Sequence, residues 1–156
     1  MRLYLVRHGD AVSEQVDSTR PLSKVGKEEV FKVAQFFAKK KEVPVNIIWH
    51  SSKKRAEQTA EVFKKIFCPQ ADLAQREGLG PNDSMDKIYF EIQNCKEGLM
   101  IVGHLPSISR LTSKLVNGHE EREIVAFHTA TLAALERDEK QTWRVLYSIS
   151  PDQIPS

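Results

Sequence analysis

The sequence predicts an α/β fold in three layers, α/β/α, with a mostly parallel central sheet and an antiparallel edge. Three observations carry that expectation. Over the first two thirds of the chain, short apolar runs alternate with stretches of helical periodicity, the pattern of parallel strands joined by crossover helices. The runs themselves, Leu3-Tyr4-Leu5-Val6 above all, are near-continuously apolar, as strands covered on both faces are. The last third changes character. Val125 to Leu135 and Trp143 to Ile149 read as two strands separated by the polar link Arg137-Asp138-Glu139-Lys140, hence a hairpin at or near a sheet edge.

In chain order, the first strand delivers Arg7-His8-Gly9 at its carboxyl end, and Asp10 to Ser18 follows as a polar connection. Thr19-Arg20-Pro21-Leu22-Ser23 carries a turn signal. Val30, Val33, Ala34 and Phe37 stand at i, i+3, i+4 and i+7 and predict a helix from about Lys24 to Lys40, broken by Val43-Pro44. Val45 to His50 reads as a second buried strand ending at Ser51-Ser52. A second helix starts near Lys53 with Ser51 or Ser52 as N-cap, turns Ala56, Ala60, Phe63 and Phe67 inward, and ends at Cys68-Pro69. Gln70 to Ser84 is the least regular part, and Asp72 to Leu79 is compatible with a short strand or with none. A third helix runs from Met85 to about Lys96, capped by Ser84, with Ile88 and Ile92 inward. Leu99 to Val102 is the third clear strand and hands over to Gly103-His104. Pro106 suits the first position of a further helix, whose inner face is Ile108, Leu111, Thr112 and Leu115 and which stops at Asn117-Gly118. Residues after Pro151 read as a short tail. There are no internal repeats, low-complexity segments or linkers.

At 156 residues the chain fits one domain spanning 1–156, long enough to bury roughly 70% of its unfolded surface. With 23 basic against 21 acidic residues and a net charge of +2, nothing marks a nucleic-acid partner. The one cationic run, Lys39-Lys40-Lys41, closes a helix, where cations suit the dipole. No apolar stretch approaches the length of a membrane span, and the short apolar start resembles no secretory signal, so a soluble cytoplasmic protein is the expectation. Cys68 and Cys95 are far apart and match no metal or redox spacing, which predicts packed, reduced thiols. No cofactor is expected.

The recurring feature is a strand that stops at a polar group and hands over to a loop or helix: at Arg7-His8-Gly9, at Ser51 through Arg55, and at Gly103-His104. If these strands are parallel neighbours, two histidines and two arginines meet on the carboxyl rim of the sheet, where α/β proteins hold ligands. Two guanidiniums match the oxygens of a phosphoryl group, and a helix amino end adds N–H donors. The plainer alternatives are that Arg7 and His8 open a loop, and that His104 is a core histidine. His50 reads as a packing or hydrogen-bonding residue, His119 as exposed loop and His128 as part of a strand. A metal site built on His8 and His104 lacks the accompanying carboxylates or helical His spacing.

Arg7-His8-Gly9, Ser51-x-x-x-Arg55-Ala56-x-Gln58-Thr59-Ala60 and Gly103-His104, in this order and spanning most of the chain, resemble the histidine phosphatase (phosphoglycerate mutase-like) superfamily. Arg7-His8-Gly9-Asp10, Arg20-Pro21-Leu22, Arg55-Ala56-Glu57-Gln58-Thr59 and His104-Leu105-Pro106 are most similar to its small phosphohistidine phosphatase (SixA) branch. The resemblance implies a phosphoglycerate mutase-like fold and a nucleophilic His8 that attacks phosphorus as the neutral ring, with its other nitrogen donating to an acceptor near Gly9. It implies that Arg7 and Arg55 hold the nonbridging oxygens and that His104 completes the pocket. Whether His104 acts neutral or charged stays open, since the arginines favour one form and a bound dianion the other. Gly9 and Arg20 are expected beside the substrate; for Arg20 the alternative is that it satisfies nearby carbonyls.

Larger members of that superfamily use a carboxylate to protonate an alcohol leaving group. Here Glu77, Asp83 and Asp86 are the candidates, Glu77 first, and none lies in a distinctive motif. A weak or absent acid favours a phosphoramidate, whose leaving nitrogen can already carry a proton. The short chain also leaves little room for a lid. The expectation is a metal-independent phosphatase acting through a phosphohistidine on His8, with phosphohistidine on a partner protein as substrate. The alternatives are a phosphatase for a small phosphate ester and a phosphate-binding module without turnover.

Overall fold

The computed structural model describes residues 1–41 and 43–155. It contains six strands and four helices: β1 (Arg2–Arg7), α1 (Lys24–Lys40), β2 (Ile47–His50), α2 (Lys54–Ile66), β3 (Asp72–Gln75), α3 (Asp86–Gln93), β4 (Leu99–Gly103), α4 (Ser107–Asn117), β5 (Leu132–Arg137) and β6 (Trp143–Ile149). The strands form one sheet in the order β3-β2-β4-β1-β5-β6. β3, β2, β4 and β1 run parallel, and β5 joins antiparallel to both β1 and β6. The predicted α/β architecture with an antiparallel edge is the one observed.

The period of two along each strand explains the layers. In β1, Tyr4 and Val6 point into a core with Val30, Val33, Ala34 and Phe37 of α1 and Ala56, Ala60 and Phe63 of α2. Leu3 and Leu5 point the other way, onto Ile88 and Ile92 of α3 and Ile108, Leu111 and Leu115 of α4. Both faces of β1 are therefore dry, which is why its sequence lacks a polar face. Ser23 caps α1 by accepting from the Gly26 N–H at 3.0 Å. Gly26 itself has no alternative: a Cβ there would lie 2.0 Å from the Asp10 carbonyl oxygen. Cys68 and Cys95 are free thiols.

Three sequence expectations are corrected and one open alternative is settled. The segment 125–131 is not strand, and β5 starts at Leu132. Val125 and Phe127 are buried while Ala126 and His128 are exposed, so the residues alternate as a strand would. The backbone is used elsewhere: the Phe127 carbonyl accepts from Arg7 Nη1, and the Ala130 N–H donates to the Arg7 and His8 carbonyls. The ambiguous stretch after Gln70 does contain a strand, β3, paired with β2 from Ile47–Asp72 to His50–Gln75. Neither predicted serine caps its helix in the usual way: Lys53 and Met85 occupy the N-cap positions of α2 and α3 and make no side-chain cap bond. The tail after Pro151 is a turn of 3₁₀ helix, Pro151–Gln153, closed by a capping box with Ser150, and it buries Pro151 and Ile154.

Candidate active site

Strand register builds the site. β1 and β4 are parallel neighbours with Arg7 opposite Gly103, so the next residue of each strand is a histidine. The His8 N–H donates to the Gly103 carbonyl at 3.0 Å, and the two imidazole rings lie 4.9 Å apart between centroids. β2 flanks β4 on its other side with His50 opposite Val102, which places Ser51 beside Gly103-His104. Arg55 follows in the first turn of α2, whose amino end adds the positive end of its dipole to the same rim.

Each group is held in a way that limits what it can do. His8 is 8% exposed, and its Nδ1 lies 2.7 Å from the Gly9 carbonyl oxygen. A carbonyl only accepts, so Nδ1 carries the proton and Nε2 carries the lone pair. Burial, opposed by the Gly9 contact and reinforced by the charges of Arg55, Arg7 and Arg20, lowers the His8 pKa to about 4. Burial first, then His8, Arg55, Lys53 and Arg7, lowers that of His104 to about 3. Both rings are neutral at pH 7. Arg7 Nε, Arg55 Nε and His104 Nδ1 are buried with no hydrogen-bond partner. Unpaired buried polar groups are costly in a folded chain, and two guanidinium N–H groups beside an imidazole nitrogen at one strand rim suit an acceptor-rich anion.

Gly9 supplies position. Its N–H donates to Thr59 Oγ1 at 3.1 Å and its carbonyl serves His8, so neither backbone group is left for a ligand. A Cβ at Gly9 would lie 2.6 Å from Val30 Cγ2, which accounts for glycine there. Arg20 satisfies a nearby carbonyl, one of the two readings open to it. Its Nε donates to the Val12 carbonyl at 3.0 Å, and its charge acts on both His8 and Arg55. It lines an open groove together with Ser52, Lys53, Lys54, Arg55 and Glu57.

Sequence reasoning quoted Gln58 and Thr59 without giving them work, and took Ser51 only for a cap. Thr59 Oγ1 accepts from Gly9 and donates to the Arg55 carbonyl, while Gln58 Oε1 accepts from the Leu22 N–H at 2.7 Å. The two residues tie the loops bearing His8 and Arg20 to the helix bearing Arg55. Their spacing is the available signal, since i+3 and i+4 from Arg55 share its helix face. Ser51 Oγ lies 2.6 Å from His104 Nε2.

The candidate acids lie apart from this cluster in their bonding. The Glu77 side chain is 94% exposed and 3.9 Å from Lys87 Nζ. Asp83 accepts from the Gly80 N–H at 2.8 Å, and Asp86 pairs with Lys114 Nζ at 2.5 Å. The charges that act on His8 are those of Arg55, Arg7 and Arg20, and those that act on His104 are those of His8, Arg55, Lys53 and Arg7. The remaining histidines are used locally: His50 Nδ1 donates to the Ser51 carbonyl, His119 Nδ1 accepts from the Glu121 N–H, and His128 is exposed beside Phe127. Among the described residues no group of three or more His, Cys, Asp or Glu side chains is placed to hold a metal ion, and no helix is long and apolar enough to cross a membrane.

The family model of the histidine phosphatase superfamily (branch 1) matches residues 3–79, which include Arg7, His8 and Arg55. No curated protein matches by sequence. Among solved structures, the protein histidine phosphatase SixA, complexed with tungstate, superposes with a TM-score of 0.86 at 25% identity, covering 98% of this chain and 99% of that one. An Entamoeba histolytica phosphoserine phosphatase (0.71, 14% identity, 96% of each chain) and an alpha-ribazole phosphatase from Shigella flexneri (0.70, 18%, 94% and 96%) share the fold. The SixA likeness runs nearly end to end, so it covers β4 and His104 as well as the matched amino-terminal half. By its motifs, its sheet order and these likenesses, the chain is similar to the histidine phosphatases, SixA among them, and residues 3–79 match that superfamily's model.

Proposed function

We propose that the protein is a metal-independent phosphohistidine phosphatase that works through a phosphorylated His8. The observation that carries the reading is the meeting of a bare imidazole nitrogen, His8 Nε2, with buried nitrogens that have no partner among the described residues, Arg7 Nε, Arg55 Nε and His104 Nδ1. The nitrogen attacks phosphorus, and the guanidiniums hold the nonbridging oxygens as charge redistributes over them. The bond from phosphorus to the substrate nitrogen breaks. When the far ring nitrogen of the substrate is protonated, the departing imidazole leaves neutral and needs no proton from the protein. His8 keeps its Nδ1 proton throughout, so phospho-His8 is an imidazolium, a good leaving group. Water then attacks phosphorus, the electron pair returns to Nε2, and the water's proton leaves with the phosphate or to solvent.

The engagement of Glu77 with Lys87, Asp83 with Gly80 and Asp86 with Lys114 supports a phosphoramidate over an ester, because an alkoxide has to be protonated as it leaves. A phosphohistidine on another protein's surface fits an open rim whose neighbouring groove carries Arg20, Lys53, Lys54 and Arg55 together with Glu14 and Glu57. A phosphohistidine-bearing protein and a chromogenic aryl phosphate, assayed side by side with and without chelator, test the proposal. The expected result is higher kcat/KM on the phosphohistidine protein and no effect of chelator. Faster turnover of the aryl ester would assign the site to small phosphate esters, turnover of neither would leave a binding module, and loss of activity in chelator would overturn metal independence.

A further inference from the structure

His8 and His104 are both buried and both neutral, yet the chemistry asks opposite things of them. One must show a lone pair and the other a proton. For His8 the Gly9 carbonyl makes the choice. His104 has no carbonyl partner on its ring; its Nε2 meets the hydroxyl of Ser51 at 2.6 Å, and its Nδ1 is buried and unpaired. Ser51 is 2% exposed and His104 1%, so water does not arbitrate between them.

We propose that Ser51 is a positioning residue: it donates its hydroxyl proton to His104 Nε2 and so fixes His104 as the Nδ1–H tautomer, a neutral donor to the phosphoryl group. A hydroxyl has one proton to give and two lone pairs. The Lys53 N–H donates to Ser51 Oγ at 3.3 Å, and among the described residues His104 Nε2 is its other partner. With Ser51 donating to Nε2, the hydroxyl gives one bond and accepts one, and the imidazole proton must sit on Nδ1. The reverse assignment makes Oγ accept twice and leaves its own proton without an acceptor. It also leaves a bare lone pair on Nδ1, which could not meet a phosphoryl oxygen, itself only an acceptor. The His50 ring holds the same peptide from the other side, its Nδ1 donating to the Ser51 carbonyl at 2.8 Å. This arrangement resolves how His104 can contribute although burial and the surrounding cations hold it uncharged. The tautomer follows from the contact geometry, while its effect on turnover rests on the phosphatase reading.

The test is nitrogen NMR of the full chain labelled with ¹⁵N-histidine at pH 7, combined with kinetics of Ser51 variants. The expected wild-type spectrum has a pyrrole-like Nδ1 and a pyridine-like Nε2 for His104, and the reverse assignment overturns the proposal. In Ser51→Ala the ring should relax to a mixture of tautomers and kcat should fall on the order of 10-fold with KM little changed. Ser51→Thr should restore both. An unaltered tautomer together with an unaltered kcat in Ser51→Ala would refute the role of the hydroxyl. Should the alanine variant fail to fold, the wild-type spectrum decides alone. A protein with the expected tautomer and no phosphatase activity would keep this assignment and sink the catalytic one.

Discussion

Two polar regions lie at the carboxyl side of the sheet, and they are built on opposite principles. At the ends of β1, β2 and β4 the groups are cationic or imidazole, buried, and short of partners: Arg7 Nε, Arg55 Nε and His104 Nδ1 have no hydrogen-bond partner among the described residues. In the irregular stretch after β3 and at the start of α3 lie carboxylates that are exposed and each engaged: Glu77 with Lys87, Asp83 with Gly80, and Asp86 with Lys114. A folded chain leaves buried donors unpaired only where something else is to satisfy them. Satisfied, solvated carboxylates hold a loop in place, and a surface pair of that kind is worth about 0–1 kcal/mol. The contrast favours the strand ends as the place for chemistry and gives the loop a supporting part under the proposed function.

The largest effect that tests this division is at the nucleophile. His8→Ala should lower turnover on the order of 10⁴-fold or more and abolish a phosphoenzyme trapped by acid quench. Labelling that persists in this variant would move the nucleophile elsewhere. Next come the guanidiniums. Arg55→Ala should cost roughly 10²- to 10³-fold in kcat, and Arg55→Lys should recover only part of it, because an ammonium keeps the charge but loses the planar pair of donors. Full recovery by lysine would mean that charge alone matters at this position.

Burial of two neutral imidazoles makes stability depend on pH. Both folded-state values, about 4 for His8 and about 3 for His104, lie below the ordinary 6.5. Below pH 6.5 the unfolded chain therefore binds more protons than the folded one. The contribution is fully present above about pH 6.5 and is lost as pH falls toward 4 and then 3. At 1.36 kcal/mol per unit of pKa, the loss from His8 alone is of order 3 kcal/mol. The midpoint of thermal unfolding should drop between pH 7 and pH 5, and His8→Ala combined with His104→Ala should flatten that slope. An equal slope in the double variant would place its origin in other groups. The acid limb of kcat/KM, which reports the free enzyme, should correspondingly lie near pH 4.

How much of this was legible in the sequence follows from what each signal depends on. β1 and β4 were readable because both of their faces are buried and nothing polar interrupts Leu3 to Val6 or Leu99 to Val102. The convergence of His8 and His104 required only that those two strands be parallel neighbours. The segment 125–131 misled because Val125 and Phe127 alternate toward the core while their backbone serves Arg7 and a turn, a distinction that periodicity cannot make. β3 hid because its residues Asp72, Leu73, Ala74 and Gln75 are only partly covered and carry a weak apolar pattern. Ser51 was read as a cap, since a serine before a helix has that meaning locally. Its contact with His104 spans 53 residues of chain and exists only once β2 lies beside β4.

The smallest predicted effect is the sharpest test of the comparison. If Glu77 only maintains the loop, Glu77→Gln keeps the side-chain shape, gives up one exposed ion pair, and should change kcat on a phosphohistidine protein by less than about 2-fold. If instead Glu77 protonates a leaving group, the same substitution should cost roughly 10²-fold or more and remove a basic limb from the pH profile. The choice of substrate separates the cases further, because only an ester with a poor leaving group gains from an acid. A loss confined to alkyl esters would make Glu77 an accessory to a secondary activity, whereas a loss on phosphohistidine itself would erase the division between the two regions. A carboxylate whose side chain is 94% exposed and 3.9 Å from Lys87 Nζ is solvated, and the expected result is the near-silent one.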